Sequence, residues 1–348
     1  MLRRAIVAQD RRLPDNRLHP YPYKALMQAI DSQRPARGAR SVYEPEQAGL
    51  LFPQRPVFSD LAGERQYRKE HLVAACRAFA QHHLDYGFAG HLTVRDPEFP
   101  ELYWTNPMAV HFSQVKLSNL ILANHQGRVV QGAHAINRAG FVLHAACHQE
   151  HPDIVAMCHA HTVYGTAFAA LGRAIEPISQ DAAVFFEDHV VITEESGKVA
   201  VSTQAGGSVA SAFKGVKAAI HQNHGLFTAS RHSIDAAAFW FIGLERVCQQ
   251  ALLVAASAIA PVLVAPEKAR YSREHVGSEY IGWLHFQVLY DHIAATQPDM
   301  FDRAAAGCAA TRCAGDARHA RRWAVALAGG TPASTTGART VPCRACPG

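Results

Sequence analysis

Two histidines one residue apart are the first residues of this chain whose types and spacing suggest chemistry. They are His159 and His161, in the segment AMCHAHTVYG at residues 156–165, where they follow an apolar run. Because alternate side chains of a β-strand point to one face, both imidazoles would project side by side. Two neutral imidazoles aimed at one point suit a divalent metal such as zinc, whose Zn–N distances are about 2.0–2.1 Å. The pair alone also fits two structural histidines that hydrogen-bond to the backbone at a strand end.

The composition is that of an ordinary globular chain with one unusual end. Of 348 residues, 49% are hydrophobic and 18% are charged, which allows a large buried core. The net charge is +5, but residues 303–348 contain seven Arg and a single acid, Asp316, so the rest of the chain carries −1. A nearly neutral body gives no electrostatic reason to expect nucleic-acid binding.

Neither a membrane span nor a secretory signal is predicted. The sequence has no stretch of about 18 uninterrupted apolar residues. The N-terminus MLRRAIVAQDRR is basic, but it lacks the apolar segment of a signal peptide. Four dispersed cysteines have apolar neighbours and are typical of small buried hydrophobes, namely Cys76, Cys147, Cys158 and Cys248. We therefore expect a cytoplasmic protein.

Hydrophobic periodicity predicts the elements that must position the histidines. Apolar residues recur at helical spacing from about Tyr67 to Leu84, and we expect that helix to stop at Gly87. The segment HLTVRDP alternates as a half-buried strand does. The further predicted elements are a hairpin around Gly127, a helix in RAGFVLHAACHQ, a buried strand in DIVAMCHAH, helices in TVYGTAFAAL and SVASAFKGVK, short strands on both sides of His224-Gly225, and long helices at about 234–258 and 281–295.

These elements predict one α/β domain with a mixed sheet over residues 64–262 and helices over residues 263–302. Residues 1–63 are rich in Arg, Pro and Gln and predict an extended arm. Residues 303–348 are rich in Ala, Gly, Arg and Cys and predict a disordered tail. Four tail cysteines could be drawn as a zinc site, although the Cys308–Cys313 spacing is one residue longer than usual.

Several motifs occur together in an order that resembles the class II aldolase/adducin family, and in particular its adducin-like bacterial members. They cover roughly two-thirds of the chain: YGFAGHLTVRDP (86–97), WTNPMAVHFS (104–113), INRAGFVLHAACHQEHPDIVAMCHAHT (136–162), IHQNHGLFT (220–228) and GWLHFQVLYD (282–291). The resemblance implies a single three-layer α/β/α domain with a mixed, mostly antiparallel sheet. It also implies a homotetramer, with the site between subunits.

The resemblance implies a metal held by the His-x-His pair and by the histidine of the Asn-His-Gly turn. Carried onto this chain, the ligands are His159, His161 and His224. The residues themselves agree, because Gly225 can adopt a positive φ and a tight turn can direct the His224 ring into a cleft. Three imidazoles leave a coordination position open, as catalytic metal sites require. Zinc is the expected metal, with manganese and iron as alternatives.

The chain also departs from the pattern of the sugar-phosphate aldolases. Gly140 stands where those enzymes place a glutamate that serves as metal ligand and proton shuttle, four residues before His144, which matches a family histidine. Arg138 and Ala139 replace phosphate-binding serines, and His91 replaces the asparagine of the first glycine-turn motif. The parts that accept a sugar phosphate and move the aldol proton are therefore missing.

The other polar residues of these motifs predict a site for a small carboxylate. Arg138 offers a planar fork suited to a carboxylate, or it pairs with a surface acid at the start of a helix. His91 would donate a proton or support a neighbouring group. Thr93, Thr105 and Asn106 are predicted to bind substrate oxygens.

Two further residues are candidates for a neighbouring subunit's site. The first is Asp181, which lies in a segment that in some relatives feeds acid/base groups into the adjacent subunit's site. Glu187 lies in the same segment, but we expect it to be an exposed charge. Tyr290 is the other, although an aromatic residue at helical spacing also fits core packing.

We therefore predict a metal-dependent lyase that cleaves a C–C bond of a small oxo- or hydroxy-carboxylic acid by retro-aldol reaction or decarboxylation. Hydroxyaromatic acids stay open as substrates, because some decarboxylases of such acids resemble this family. One alternative is a non-catalytic, adducin-like interaction module, which the missing glutamate favours. A second alternative is an iron-dependent oxygenase that uses the same three histidines.

Overall fold

The computed structural model describes residues 41–302, apart from positions 48, 195 and 198–202. The predicted tail at 303–348 and the first 40 residues of the predicted arm lie outside this range. The described part of the arm, up to residue 60, consists of turns and irregular chain. None of the described helices is both long enough and apolar enough to cross a membrane.

Eight described strands form one sheet with the order β4-β3-β2-β1-β5-β8-β7-β6. The strands are β1 His91–Arg95, β2 Leu102–Thr105, β3 Ile121–Asn124, β4 Val129–Gln131, β5 Ala156–Ala160, β6 His189–Ile192, β7 Ala218–His221 and β8 Gly225–Ser230. Every neighbouring pair is antiparallel except β6 and β7, which are parallel. The predicted mixed, mostly antiparallel sheet is confirmed.

Helices cover both faces of the sheet. They are α1 Leu61–Gln81, α2 Arg138–Glu150, α3 Val163–Ala169, α4 Gln180–Ala183, α5 Thr203–Ala212, α6 Ile234–Ala256, α7 Pro266–Val276 and α8 Glu279–Thr296. On one face, α1, α6 and α8 pack on the large apolar core that includes Leu92 and Val94 of β1. On the other face, α2 and α5 pack over a smaller core that includes Met157 and Phe227. The result is three layers, as the family resemblance implies.

The strand register decides which side chains share the face under α2. His91 of β1 lies opposite His159 of β5, and His159 lies opposite Phe227 of β8. Because side chains alternate along a strand, Thr93 and Met157 share this face with the two histidines. Leu92 and Cys158 point instead to the opposite core.

The element boundaries correct the sequence prediction at both ends of α1 and at two strands. Helix α1 begins at Leu61, where the side chain of Asp60 accepts a hydrogen bond from the Gly63 N–H, and it ends at Gln81. It stops before Gly87 because His83 already adopts a left-handed conformation with φ 55°. Strands β2 and β6 were not predicted, since neither shows an alternation of apolar and polar residues.

Hydrogen bonds to the buried His71–Asp235 pair connect α8 to α1 and α6. The Nδ1–H of His71 in α1 donates to Asp235 of α6 at 2.5 Å, and Gln287 of α8 donates to the same carboxylate at 2.9 Å. The His71 ring is stacked between Tyr67 and Tyr290, with centroid distances of 3.8 Å and 4.0 Å. Helix α8 is thus part of the main core.

Replacing Asp235 by Ala should lower the free energy of unfolding by about 3 kcal/mol, because the buried His71 N–H then loses its acceptor. Urea denaturation measures the change. The matched control is Glu176→Ala, which removes an exposed carboxylate whose ion pair with Arg173 spans 3.9 Å. That control should leave stability unchanged within error. Equal losses in the two variants would contradict the role given to the pair.

Candidate metal centre

Three histidines from two chain segments converge at one end of the sheet. His159 lies in β5, His161 follows that strand directly, and His224 lies in the turn between β7 and β8. One nitrogen of each ring lies within 4.8 Å of a nitrogen of the other two. Their ring centroids are 5.1, 5.0 and 4.9 Å apart in pairs. The predicted ligands are therefore brought together by the fold.

The hydrogen bonding and burial of these rings suit metal ligation. The Nδ1–H of His159 donates to the Leu226 carbonyl at 2.8 Å, which leaves its Nε2 as a free lone pair. Burial lowers the pKa of all three imidazoles, and the neighbouring His221 and His161 help to lower the pKa of His224 to about 4. The rings are neutral at neutral pH, and a metal binds only the neutral form. The donor set therefore fits a divalent transition metal.

The turn that carries His224 is built differently from our expectation. The positive φ of 55° belongs to Asn223, whereas Gly225 has no positive φ. Gly225 is needed for space, because a Cβ there would lie 3.2 Å from the Ala160 carbonyl and 3.6 Å from the His159 ring. The asparagine provides the turn and the glycine allows β5 to approach closely.

A carboxylate from a distant helix holds the segment that follows His161. Glu245 of α6 accepts hydrogen bonds from the Thr162 hydroxyl and from the N–H groups of Tyr164 and Gly165, the latter two at 3.0 Å and 2.7 Å. These groups form the start of α3, where a negative charge is favourable. Nothing local in the sequence indicated this contact, since Glu245 lies about 80 positions further along.

His91 occupies the space that the missing side chain at position 140 leaves open. A Cβ on Gly140 would lie 2.3 Å from Cε1 and 2.5 Å from Nδ1 of His91. Both ring nitrogens of His91 are buried, and the Gly140 backbone interacts with the ring, although burial still lowers its pKa. The ring centroid lies 5.0 Å from that of His159. Gly140 and His91 are therefore one spatial pair.

A cavity of about 630 Å³ opens over the three histidines and His91. Its apolar lining includes Phe88, Leu143 and Ala170. No lysine, arginine or carboxylate side chain is among the described residues that line it. The cavity can therefore hold an organic molecule with an apolar part, next to four imidazoles.

The residues predicted to bind substrate do not line this cavity. Thr93, Thr105 and Asn106 are buried. The Asn106 side chain instead accepts the Leu92 N–H at 3.0 Å and donates to the Gly90 carbonyl at 3.4 Å. Arg138 is exposed, although the residues on both sides of it, Asn137 and Ala139, line the cavity. Of the residues predicted to act at the site without binding the metal, only His91 lines the cavity.

The residues predicted to serve a neighbouring subunit lie elsewhere in this chain. Asp181 is exposed and accepts a hydrogen bond from Gln250 at 3.3 Å. Tyr290 stacks on His71. Glu187 is exposed and pairs with Arg270 at 2.7 Å. Within one chain, then, neither Asp181 nor Tyr290 joins the metal centre.

Two histidines that sequence reasoning did not assign lie directly behind His91. His144 and His148 occupy successive turns of α2, and the Thr93 hydroxyl lies 2.8 Å from Nδ1 of His144 and 2.9 Å from Nε2 of His148. All three side chains are buried. The signal that could have found them is their i, i+4 spacing on a helix that packs over alternate residues of β1.

Comparison with known proteins gives consistent matches. The family model for the class II aldolase and adducin N-terminal domain matches residues 70–252. Two relatives are each 39% identical over 72% of this chain: Decarboxylase NovR of Streptomyces niveus, of which 92% is covered, and 4-hydroxy-3-prenylphenylpyruvate oxygenase/4-hydroxy-3-prenylbenzoate synthase of Streptomyces roseochromogenus subsp. oscitans, of which 90% is covered. Among solved structures, L-fuculose 1-phosphate aldolase from Glaciozyma antarctica PI12 matches with a TM-score of 0.65 and 36% identity, over 71% of this chain and 96% of that one.

Gly140→Ala should cost about 2 kcal/mol of unfolding free energy, because the added methyl collides with the buried His91 ring. The same substitution in a His91→Ala background should cost almost nothing, since the colliding ring is gone. Gly207→Ala is the control, because a Cβ at that helical position meets no atom within 4 Å. Urea denaturation of the unmodified chain, the two single variants and the double variant measures the coupling between positions 140 and 91. The Gly207→Ala control is measured beside them. An equal cost of Gly140→Ala in both backgrounds would disprove the spatial pairing.

The stability of chelator-treated protein should fall as the pH is lowered from 7.5 to 5. The pKa values of His91, His159 and His224 are lowered in the folded chain. As the pH falls below the ordinary histidine pKa of about 6.5, these residues bind protons in the unfolded chain before they do so in the folded one, which favours unfolding. Each such group contributes at most about 1.4 kcal/mol per pH unit. Urea midpoints at several pH values give the slope. His224→Ala should flatten it and exposed His134→Ala should not; a flat profile for the unmodified chain would contradict the neutral state of these rings.

Proposed function

Since the chain belongs to the class II aldolase and adducin family, we propose that it is a divalent-metal-dependent lyase. It would cleave a C–C bond next to the carbonyl or carboxyl group of a small oxo- or hydroxy-carboxylic acid. The observation that carries the proposal is the convergence of three neutral imidazoles beside an apolar cavity. A merely structural set of histidines has no need of a shared open face.

His159, His161 and His224 would hold the metal, with zinc as the first candidate and manganese or iron as alternatives. A metal bound there would polarise a carbonyl oxygen of the substrate. The Leu226 carbonyl orients the His159 ring, and Glu245 orients the segment after His161. These contacts would keep the ligands in place when a substrate enters.

The lining of the cavity favours a carboxylic acid with an apolar part over a sugar phosphate. No cation among the described lining residues could neutralise a phosphate, and the family's phosphate-binding serines are replaced here. Phe88 and Leu143 would contact the apolar part. Arg138 lies between two lining residues and stays our candidate partner for a carboxylate, while His91 stays our candidate for moving a proton. The roles predicted for Thr93, Thr105 and Asn106 gain no support from their burial.

The names of two relatives indicate which acids to test first. One is called a decarboxylase, and the name of the other describes the conversion of an aryl pyruvate into an aryl carboxylic acid. An aromatic ring with a three-carbon oxo-acid chain is of a size that a cavity of about 630 Å³ can accept. Aryl-substituted 2-oxo and 2-hydroxy acids are therefore the substrate class that we propose.

A second candidate function is an iron-dependent oxygenase on the same three histidines. The observation that favours it is the word oxygenase in the name of a relative that is 39% identical over 72% of the chain. A non-catalytic, adducin-like module is less well supported, because it would not need a neutral three-histidine set beside a cavity.

We also propose a homotetramer, in which Asp181 and Tyr290 would have to reach a neighbouring site from the surface of α4 and from α8. Four buried free thiols, at Cys76, Cys147, Cys158 and Cys248, suit a reducing cytoplasmic setting.

Replacing His159, His161 or His224 by Ala should weaken zinc binding at least about tenfold, because each variant loses one of three ligands. Zinc content after dialysis against limiting metal, determined by plasma mass spectrometry, measures the effect. His134→Ala is the control, since that histidine is exposed and lies outside the site. A His159→Ala protein that retains the zinc content of the unmodified chain would remove the basis of the proposed centre.

Activity is best tested with phenylpyruvate, phenyllactate and their 4-hydroxy forms, in the presence of zinc, manganese or ferrous iron. The lyase proposal predicts metal-dependent release of carbon dioxide or an aldehyde without oxygen consumption. Release that requires both ferrous iron and oxygen, followed with an oxygen electrode, would favour the oxygenase instead. If no acid in this panel is cleaved and the chain binds a protein partner tightly, the result contradicts the lyase proposal and favours the non-catalytic module.

A further inference from the structure

The cavity over the candidate metal centre has a buried inner end and an exposed outer end. Leu143 of α2 and the candidate ligand His159 both line it and are both buried, so they mark the inner end. Phe88, in the loop before β1, lines the same cavity but is 59% exposed, so it marks the outer end. A ligand that fills the cavity from the metal centre outward therefore ends beside Phe88.

Two helices line the cavity with the same gradient of exposure. Helix α2 contributes the buried Leu143 and, four positions earlier, the half-buried Ala139. Helix α3 contributes the half-buried Thr166 and, four positions later, Ala170, which caps that helix and is exposed. Residues four positions apart lie on one face of a helix, so each pair spans the cavity wall from the inner to the outer end. On both helices the residue at the outer end is an alanine.

The space in the cavity results from a lack of large side chains. Among the described lining residues, Phe88 and Leu143 are the only apolar ones larger than alanine. The other apolar lining residues come from four segments of the chain, and they are Ala89, Ala139, Gly140, Ala170 and Gly197. The resulting volume of about 630 Å³ lies within the range of about 300–1,000 Å³ that holds drug-sized molecules. An unsubstituted aryl acid such as phenylpyruvate is smaller than such molecules and would leave part of the apolar lining uncovered.

The backbone of Phe88 is held at the rim of the cavity. Its carbonyl accepts a hydrogen bond from the Asn137 side chain at 3.0 Å, and the same side chain caps α2 by accepting the Gly140 N–H at 3.4 Å. The rim is thus tied to the first turn of a helix of 13 residues. Because more than half of Phe88 is exposed to water, a ligand that covers its ring gains free energy from the apolar area that it buries.

We propose that Phe88 and Ala170 are specificity-determining residues, and that the ligand is an aryl oxo- or hydroxy-acid whose ring carries an apolar substituent of several carbons. The acid group lies at the three histidines. The substituent lies at the outer end, where it packs on Phe88 in the space that Ala170 leaves open. The placement of the acid group rests on the proposed function, whereas the preference for an apolar substituent rests on the lining of the cavity alone.

Acids that cannot be cleaved test this preference without any reaction. The series consists of 3-phenylpropanoate and its 4-methyl, 4-propyl and 4-pentyl forms, titrated into zinc-treated protein by calorimetry. Because each buried CH₂ group adds to the binding free energy, the affinity of the unmodified chain should rise at least about twofold with each added carbon. Ala170→Leu should remove most of this rise and change the affinity for 3-phenylpropanoate less than about twofold. An affinity of the unmodified chain that stays level along the series would overturn the proposal.

Phe88→Ala removes the ring at the rim and should lower the affinity for the 4-pentyl form about tenfold, with much less effect on 3-phenylpropanoate. Two matched controls lie outside the cavity. Ala167→Leu adds the same side chain at an exposed position of α3, and Tyr86→Ala removes an exposed aromatic ring from the loop that holds Phe88. Both controls should keep the full rise along the series. Controls as impaired as the cavity variants would show that Phe88 and Ala170 do not determine specificity.

Two further measurements separate the alternatives. Ala139→Leu narrows the outer end from the other helix and should also remove the rise, so the test does not depend on one substitution. Light scattering shows whether Ala170→Leu changes the number of subunits; a changed number with an unchanged rise would mean that the outer end faces another copy, and would overturn the proposal. A chain that shows the rise but cleaves no aryl acid loses the proposed function and keeps this specificity, whereas one that cleaves such acids without the rise loses the specificity alone.

Discussion

The pairing of β5 between β1 and β8 is the constraint on which the site depends. It places His91 opposite His159 and brings the turn that follows β7 to the end of the same strand, where His161 and His224 meet His159. A slip of one residue in either pair would send these rings into the opposite core, where Leu92 and Cys158 now lie. The large core under α1, α6 and α8 therefore fixes the register and, through it, the position of every imidazole.

Burial then gives these imidazoles their chemical state. Desolvation lowers the pKa of each of the three ligand imidazoles, and the Nδ1–H of His159 donates to the Leu226 carbonyl. The lone pairs that remain are available to a metal or to a proton. The same burial requires small residues nearby: Gly140 leaves room for His91, and Gly225 allows β5 to approach the turn. The glycine at position 140 and the imidazole at position 91 therefore depend on each other.

Much of this could be predicted from the sequence, because the decisive signals are local. The His-x-His spacing at the end of a strand, the glycine turn at His224-Gly225 and the period of α2 all depend on residues close together in the chain. What could not be predicted depends on contacts between distant segments. Glu245 reaches the start of α3, Thr93 joins two histidines of α2 instead of a substrate, and Asn223, not Gly225, takes the positive φ. Strands β2 and β6 show no alternation of apolar and polar residues, so the sequence pattern does not reveal them.

The proposed site requires three imidazoles to bind one divalent cation and to leave a coordination position for a ligand. The most direct test is a crystal structure of the zinc-treated protein, with anomalous data collected on both sides of the zinc absorption edge. We expect one strong anomalous peak bonded to a nitrogen of His159, His161 and His224 at about 2.0–2.1 Å, with a non-protein ligand completing the coordination. The absence of a peak among these rings, or a zinc ion whose four ligands all come from the protein, would contradict it.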